Sequence, residues 1–465
     1  MKFSTKLVPL IVVIFFMSVC TLSCQEAAPP TEVETAIDKI FESFDGINRP
    51  GAAVAVMQNG AVVFKKGYGS ANLEYDIPIT PSTIFHVASV SKQFTVFALL
   101  LLAEEGKLSL DDPIQKHIPE VPDFGQEVTL GHLATHTSGM RDQWDLLTLA
   151  GWRWDDVITK EHILKIVSKQ KDLNFTPGEQ YMYCNTGFTL LAEVVARVSG
   201  KSFAEFTKER MFTPLNMTNS QFYDDHTKIV KNRAYSYNPM AFGFQKSILS
   251  FANVGATSLF TTVEDLSLWA MNFKDLKVGS ATLVEQMNTL AVLNNGENFG
   301  GAYGQFVGPY KGLQQIQHSG GDAGYRSFLG RFPDQNFAVS VVSNSGASNP
   351  YALAMQVVDL YLKDAFVEEP QPTAKKEKTI TLSEAALQAF EGHYWDPKDL
   401  YSRKIHLKEG ALQYDRGNGN VTELAPLSKN SFAMQNIPTQ VTVTFTTENG
   451  QDHMRVTEGE TTLGA

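Results

Sequence analysis

Hydrophobic and polar positions along the chain change period several times, and each change predicts an element. Residues 32–44 carry apolar side chains at helical spacing. Two apolar runs, 52–57 and 61–64, flank Asn59-Gly60, the strongest short hairpin signal, and predict a pair of antiparallel strands. Residues 94–102 are almost wholly apolar and predict a buried helix that stops at Gly106, a natural C-cap. A mostly helical middle includes 186–198 before Gly200 and 263–273 after Thr261-Thr262. Strand patterns return at 314–318, 326–332 and 337–342, the last two joined by the turn Pro333-Asp334-Gln335-Asn336, and 351–362 reads as an amphipathic terminal helix. Strands at both ends with helices between them predict an α/β (α+β) unit. Its antiparallel sheet is closed by the N- and C-terminal parts, flanked by helices, and carries a helical lobe.

Further changes of pattern bound that unit at 32–366. Residues 367–378 are charged and interrupted by Pro370 and Pro372, as a linker is. After a short helical piece near 383–390, alternating segments such as 405–407, 411–414 and 441–445 are separated by Gly, Asn and Asp turns. They predict a small all-β domain over 379–465, a barrel or a sandwich. At the other end, Lys2 and Lys6 precede an apolar stretch over 7–17 that is short for a membrane span, so 1–24 reads as a secretion signal. Leu22-Ser23-Cys24 resembles a bacterial lipoprotein processing site, with Thr21 where an aliphatic residue is usual. Cys24 is then the expected lipidation site, ordinary signal cleavage the alternative, and residues 25–31 a Pro- and Ala-containing tether. Either way the protein lies outside the cytoplasm, periplasmic or at the cell surface, touching the membrane only through the lipid.

The 465 residues exceed one hydrophobic core, in keeping with two domains. The formal charge of −11 becomes −13 when Lys2 and Lys6 leave with residues 1–23, which argues against a nucleic-acid partner. Of three cysteines, Cys20 leaves with the signal and Cys24 takes the lipid, so Cys184 stands alone and packing must supply stability.

Ser89-Val90-Ser91-Lys92 sets a hydroxyl and an amine three positions apart at the mouth of the long apolar run, and residues three apart share a helix face. A lysine desolvated there has a lowered pKa and can take the serine proton, while the helix N-terminus favours negative charge at Ser89. The spacing itself is common. Ser168-Lys169-Gln170-Lys171 repeats it in a charged stretch and reads as solvated surface, and taken in isolation the Ser89 copy is as readily an N-cap serine with an exposed lysine as a catalytic pair. Companions decide between them. Residues 175–185 place a Pro177-Gly178 turn ahead of Tyr183-Cys184-Asn185, immediately before a helix, and His318-Ser319-Gly320-Gly321 follows a strand and leads to Gly324.

In order and spacing these three motifs resemble the serine β-lactamase and penicillin-binding protein superfamily, closest to its branch of class C β-lactamases, D-alanyl-D-alanine carboxypeptidases and esterases. The likeness extends through 106–113 and 133–140 and covers residues 35–365. It implies Ser89 as the nucleophile acylated by an ester or amide carbonyl, with Lys92 and the Tyr183 phenol sharing its proton. It implies Asn185 holding the Lys92 ammonium and orienting substrate amides, and the N–H groups of Ser89 and Gly321 forming an oxyanion hole. His318 and Gly320 would line the substrate-binding wall, with His318 donating toward a substrate carboxylate or the Tyr183 oxygen. No metal and no cofactor is implied. A phenol near pKa 10 serves only if a cation stabilises its phenolate, and Lys92 is the obvious one.

Histidine at 318, where class C β-lactamases carry lysine, turns the expectation from antibiotic defence toward peptidases and esterases. Cys184, where serine or alanine is usual, puts an oxidisable thiol beside the base. His132 and His136 imitate zinc-ligand spacing, but Leu133 stands in place of the metalloprotease glutamate and the stretch reads as structural. Ser236-Tyr237-Asn238 reads as ordinary loop, and Trp152 and Trp154 as packing residues. The expected function is a serine hydrolase acting through an acyl-enzyme on a small amide or ester. D-amino-acid peptides, cleaved in carboxypeptidase or aminopeptidase fashion, are the first reading, and carboxylesterase or β-lactamase the alternatives. A catalytically silent muropeptide-binding protein is the non-enzyme reading, opposed by the presence of Ser89, Lys92, Tyr183 and Asn185 together. Oligomeric state is left open by the sequence.

Overall fold

The computed structural model describes residues 31–367, 379–396, 401–417, 421–435, 441–448, 450–458 and 461–464. The expected secretion signal, Cys24, residues 25–30 of the expected tether and residues 368–378 of the expected linker lie outside them. The chain divides at the linker into two compact units, Met1–Phe366 and Val367–Ala465.

In the first unit, helix α1 (Glu32–Ile40) leads to the hairpin β1 (Ala52–Gln58) and β2 (Ala61–Tyr68), then to α2 (Ser91–Glu104). The helical lobe includes α3 (Gln143–Leu149), α4 (Asn185–Ser199), α5 (Val263–Asn272) and α6 (Ala281–Asn288). Six strands follow: β3 (Leu290–Val292), β4 (Asn298–Ala302), β5 (Gln305–Tyr310), β6 (Leu313–Asp322), β7 (Tyr325–Phe332) and β8 (Phe337–Ser343), before α7 (Pro350–Leu362). They form one eight-stranded antiparallel sheet in the order β3-β4-β5-β6-β7-β8-β1-β2. The sheet is closed by β1 against β8, with Ala52 opposite Ser343 and Gln58 opposite Phe337, as the split strand pattern predicts.

Both faces of this sheet are covered. Ala52, Val54 and Val56 pack in one core with α1 and α7, while Ala53, Ala55 and Met57 pack in the other with α2 and α5. A strand buried on both sides needs no polar face, so β1 reads as a continuous apolar run. Helix α2 is likewise buried from Ser91 through Leu102, and its sequence shows no polar stripe. The β1–β2 turn takes left-handed φ at Asn59 (+53°) and Gly60 (+78°), the geometry for which Asn-Gly is preferred.

Two expectations shift. Strand β6 runs on to Asp322, so His318-Ser319-Gly320-Gly321 lies within a strand and does not follow one. Ser236-Tyr237-Asn238 is part of a strand, Ser236–Pro239, and not loop; the Ser236 hydroxyl is buried, accepts from the Gly324 N–H at 3.1 Å and donates to the Ser247 carbonyl at 2.9 Å.

The second unit is an eight-stranded antiparallel sheet in simple up-and-down order, from Gly392–Asp396 to Thr461–Gly464. It is barrel-like, with Leu412, Phe432, Val443 and Phe445 in its core and the short helix Glu384–Gln388 contributing Leu387. Among the described residues no helix is long and apolar enough to cross a membrane.

Candidate active site

Ser89 lies in a single 3-10 turn, Ala88–Val90, that runs into α2, so it does not cap the helix; Val90 takes that position without a side-chain bond. The turn is strained: Ala88 has φ +46°, a region that L residues rarely occupy. Strand β6 passes directly behind it. A Cβ on Gly320 would stand 2.3 Å from the Val87 carbonyl oxygen and 3.0 Å from the Ser89 nitrogen, so only glycine permits this approach. A Cβ on Gly321 would meet Arg326 at an ordinary 3.6 Å. Gly321 is therefore not required for space.

Lys92 is fully buried, and its Nζ has three partners: Ser89 Oγ at 3.0 Å, Asn185 Oδ1 at 2.9 Å and the Ala256 carbonyl at 2.8 Å. The two carbonyl oxygens can only accept. A neutral amine has two N–H groups for them and one lone pair, which then faces the serine hydroxyl. Burial favours that neutral form and draws Lys92 down to about 7, against the opposing charges of Asp322 and Asp142.

Asn185 opens α4, and its amide cannot turn over. Its Nδ2 donates to Asp142 Oδ2 at 3.0 Å, and its backbone N–H donates to the same oxygen. The other carboxylate oxygen of Asp142 caps α3, accepting from the Trp144 N–H at 2.8 Å. Asp142 thus fixes which end of Asn185 faces Lys92. The sequence marks Asp142 only as a helix cap; its partner 43 residues on is a tertiary contact.

The Tyr183 ring lies 4.8 Å from Lys92 Nζ, and its phenol is near enough to Ser89 for that side chain to lower its pKa against burial. Burial pushes the phenol well above 10, so it remains protonated at neutral pH and the expected cation-stabilised phenolate is absent. The ring stacks on His136, centroids 4.2 Å apart, and His136 Nδ1 accepts the Cys184 N–H at 3.0 Å. His132 Nδ1 accepts from the Thr129 N–H at 3.2 Å. The zinc-like spacing is thus used for capping and stacking, and no group of three potential metal ligands occurs among the described residues.

His318 does reach the wall facing Tyr183, ring centroids 6.3 Å apart, but not as the expected donor. Its Nδ1 carries the hydrogen, donating to the Ser319 carbonyl at 2.6 Å, and burial together with the Lys92 charge drops its pKa to about 3. Its Nε2, buried and unpartnered, can only accept. Cys184 is also less exposed to chemistry than expected: its Sγ donates to the Met140 carbonyl at 3.3 Å, and burial pushes the thiol up to about 12.

Asp322, at the end of β6, was not singled out by any motif. Its carboxylate accepts from the Thr257 hydroxyl, lies 3.9 Å from His86 Nε2, and is raised by burial to about 6. Elsewhere, Ser168 only donates to the Lys165 carbonyl on an exposed surface, Trp152 packs on His162 with centroids 4.7 Å apart, and Trp154 is 60% exposed.

A family model described as Beta-lactamase matches residues 37–361, the stretch that carries every group just described. The chain belongs to the Beta-lactamase family. Among curated relatives, a D-aminopeptidase of Gluconobacter oxydans is 27% identical over 346 residues, 74% of this chain and 64% of the relative. Penicillin-binding protein 4* of Bacillus subtilis is 24% identical over 437 residues, 88% of this chain and 93% of the relative. The match thus spans just under two thirds of the D-aminopeptidase and nearly all of the Bacillus protein. Among solved structures of this family's fold, an octameric penicillin-binding protein homologue from Pyrococcus abyssi superposes with a TM-score of 0.65 at 25% identity, over 93% of this chain and 99% of its own. A D-amino acid amidase from Ochrobactrum anthropi does so at 0.61 and 21% identity, over 72% of this chain and all of its own, which shows a shared fold.

Proposed function

We propose that this protein hydrolyses small amides of D-amino acids through an acyl-enzyme on Ser89, in aminopeptidase fashion. The observation that carries the chemistry is the buried Lys92 amine, drawn down to about 7, with its lone pair on Ser89 Oγ at 3.0 Å. Ser89 Oγ bonds to the carbonyl carbon while its proton passes to Lys92, whose ammonium is received by Asn185 Oδ1 and the Ala256 carbonyl. The N–H groups of Ser89 and Gly321 stabilise the oxyanion. Collapse returns the proton through the Tyr183 hydroxyl to the leaving amine, and water then cleaves the ester by the same route in reverse.

Two observations support the substrate class. Relatives named D-aminopeptidase, from Gluconobacter oxydans and Brucella anthropi, are 27% and 26% identical. The neutral His318, whose Nε2 can only accept, and the Asp322 carboxylate suit an ammonium or amide donor better than a carboxylate beside the scissile bond. Carboxypeptidase substrates and β-lactams carry such a carboxylate. The test is intact-protein mass after incubation with a fluorophosphonate, a penicillin and p-nitrophenyl esters, beside Ser89→Ala. Adducts on the wild type alone are expected, followed by turnover of D-alanyl amides in preference to acetyl esters and cephalosporins. A wild-type chain untouched by every reagent would remove the hydrolase reading in favour of a binding protein.

A further inference from the structure

Arg331, on β7, is buried to 4% exposure, yet no carboxylate lies within ion-pair distance of it among the described residues. One of its N–H groups, on Nη2, donates to Gln305 Oε1 at 3.0 Å; the guanidinium lies 3.5 Å from the centroid of the Phe273 ring, and Nε has no partner. Gln305 is itself fixed, donating to the Met287 carbonyl at 3.1 Å and to Asn288 Oδ1 at 2.8 Å. A buried charge without a counter-charge is costly, and burial alone brings Arg331 down to about 9.

Arg331 lines a half-open pocket of 110 Å³ between the sheet and the C-terminal end of α5. Met57, Ala338 and Arg331 stand side by side across β1, β8 and β7, which puts all three on the face that the cavity occupies. Ala270, Met271 and Val284 close it from α5 and α6. None of the groups around Ser89 contributes to this lining. A buried cation without a counter-charge, lining a mostly apolar pocket that Lys274, Asn288 and Asn336 also border, has the complement of a carboxylate with a short hydrocarbon tail.

We propose that this cavity is a binding site, separate from the Ser89 centre, for a small aliphatic or aromatic monocarboxylate whose head group pairs with Arg331. The tail lies against Met57, Ala270 and Val284, and the carboxylate supplies the acceptor that Arg331 Nε lacks. The pair forms without a covalent step, so binding leaves both groups chemically unchanged.

Calorimetric titration of the full chain with hexanoate, hexanol and hexylamine tests it. Hexanoate is expected to bind saturably, and hexanol about tenfold or more weakly, since a charge-assisted pair is absent. Arg331→Met is expected to erase the preference for the acid. Ala270→Leu, which fills the chamber and leaves Arg331 in place, is expected to abolish hexanoate binding while the thermal transition is retained. Equal binding of hexanoate and hexanol, no saturable hexanoate binding at millimolar concentration, or hexanoate binding that survives Ala270→Leu would each overturn the proposal.

Discussion

At the level of single residues, the chemistry rests on where one proton sits. Lys92, drawn down to about 7, can act as the proposed base only when neutral, so the acylation rate should rise with pH through about 7 and level off above it. Stopped-flow acylation by a p-nitrophenyl ester across pH 5 to 9 measures this, and a flat profile would contradict it. The same shift has a stability consequence with a fixed sign. Between about 7 and 10.5 the unfolded chain binds a proton that the folded one does not, so stability should increase with pH across that window. Asp142 acts through Asn185. In Asp142→Asn the Asn185 amide loses its fixed orientation, and kcat should fall by roughly 10- to 100-fold from misplacement of the base. The acid limb should also move to lower pH, because Asp142 charge raises Lys92; a purely structural cap would leave that limb where it was. The structure brings Ser89, Lys92, Tyr183, Asn185 and His318 into one cleft, and these were legible because each sits in a short local pattern. Asp142, Asp322 and His136 were not, because what marks them is a partner 43 or more residues away. The lowered Lys92 was legible from the apolar run behind it, but the states of Tyr183 and His318 were not, because the burial that keeps Tyr183 protonated and His318 neutral is a property of the packed site.

At the level of elements, the site is a turn pressed against a strand. The apolar run announced α2, and the strand–helix–strand order announced the sheet, since period and chain order survive in one dimension. The strained turn at Ala88 and the continuation of β6 through its glycines did not, because both are consequences of the two elements meeting. Gly320 and Gly321 look alike in sequence and differ in the fold. Gly320→Ala drives a methyl to 2.3 Å from the Val87 carbonyl oxygen, so β6 must retreat from Ser89. A loss of about 100- to 1000-fold in kcat is expected, the scale of losing one oxyanion donor, with the circular dichroism spectrum retained. Gly321→Ala meets only an ordinary contact at 3.6 Å and should stay close to wild type. Equal losses in the two variants would show that the β6 approach is not what aligns the oxyanion donors.

At the level of the whole molecule, the division of the chain after Phe366 agrees with the change of composition there, but the choice between barrel and sandwich was not readable from the sequence. Alternating strands have the same period in both, and only the pairing order, with each strand beside its sequence neighbour, decides it. The Ser89 unit holds two cores built entirely from residues before the linker, on either face of one sheet. Its last residues are part of that packing: Phe366 lies edge-on to Tyr310 at 6.0 Å, and the Lys311 ammonium stands 4.8 Å from the Phe366 ring. A chain ending at Phe366 therefore keeps every residue of both cores and of the cleft, and its roughly 330 residues are ample for independent stability. Such a chain should unfold in one cooperative thermal transition and form the fluorophosphonate adduct at Ser89 as fast as the full protein. A chain ending at Leu362 loses the Phe366 contacts and should melt earlier. Failure of the longer piece to fold, or adduct formation slowed while its transition stays intact, would assign the β unit a part in building or completing the cleft.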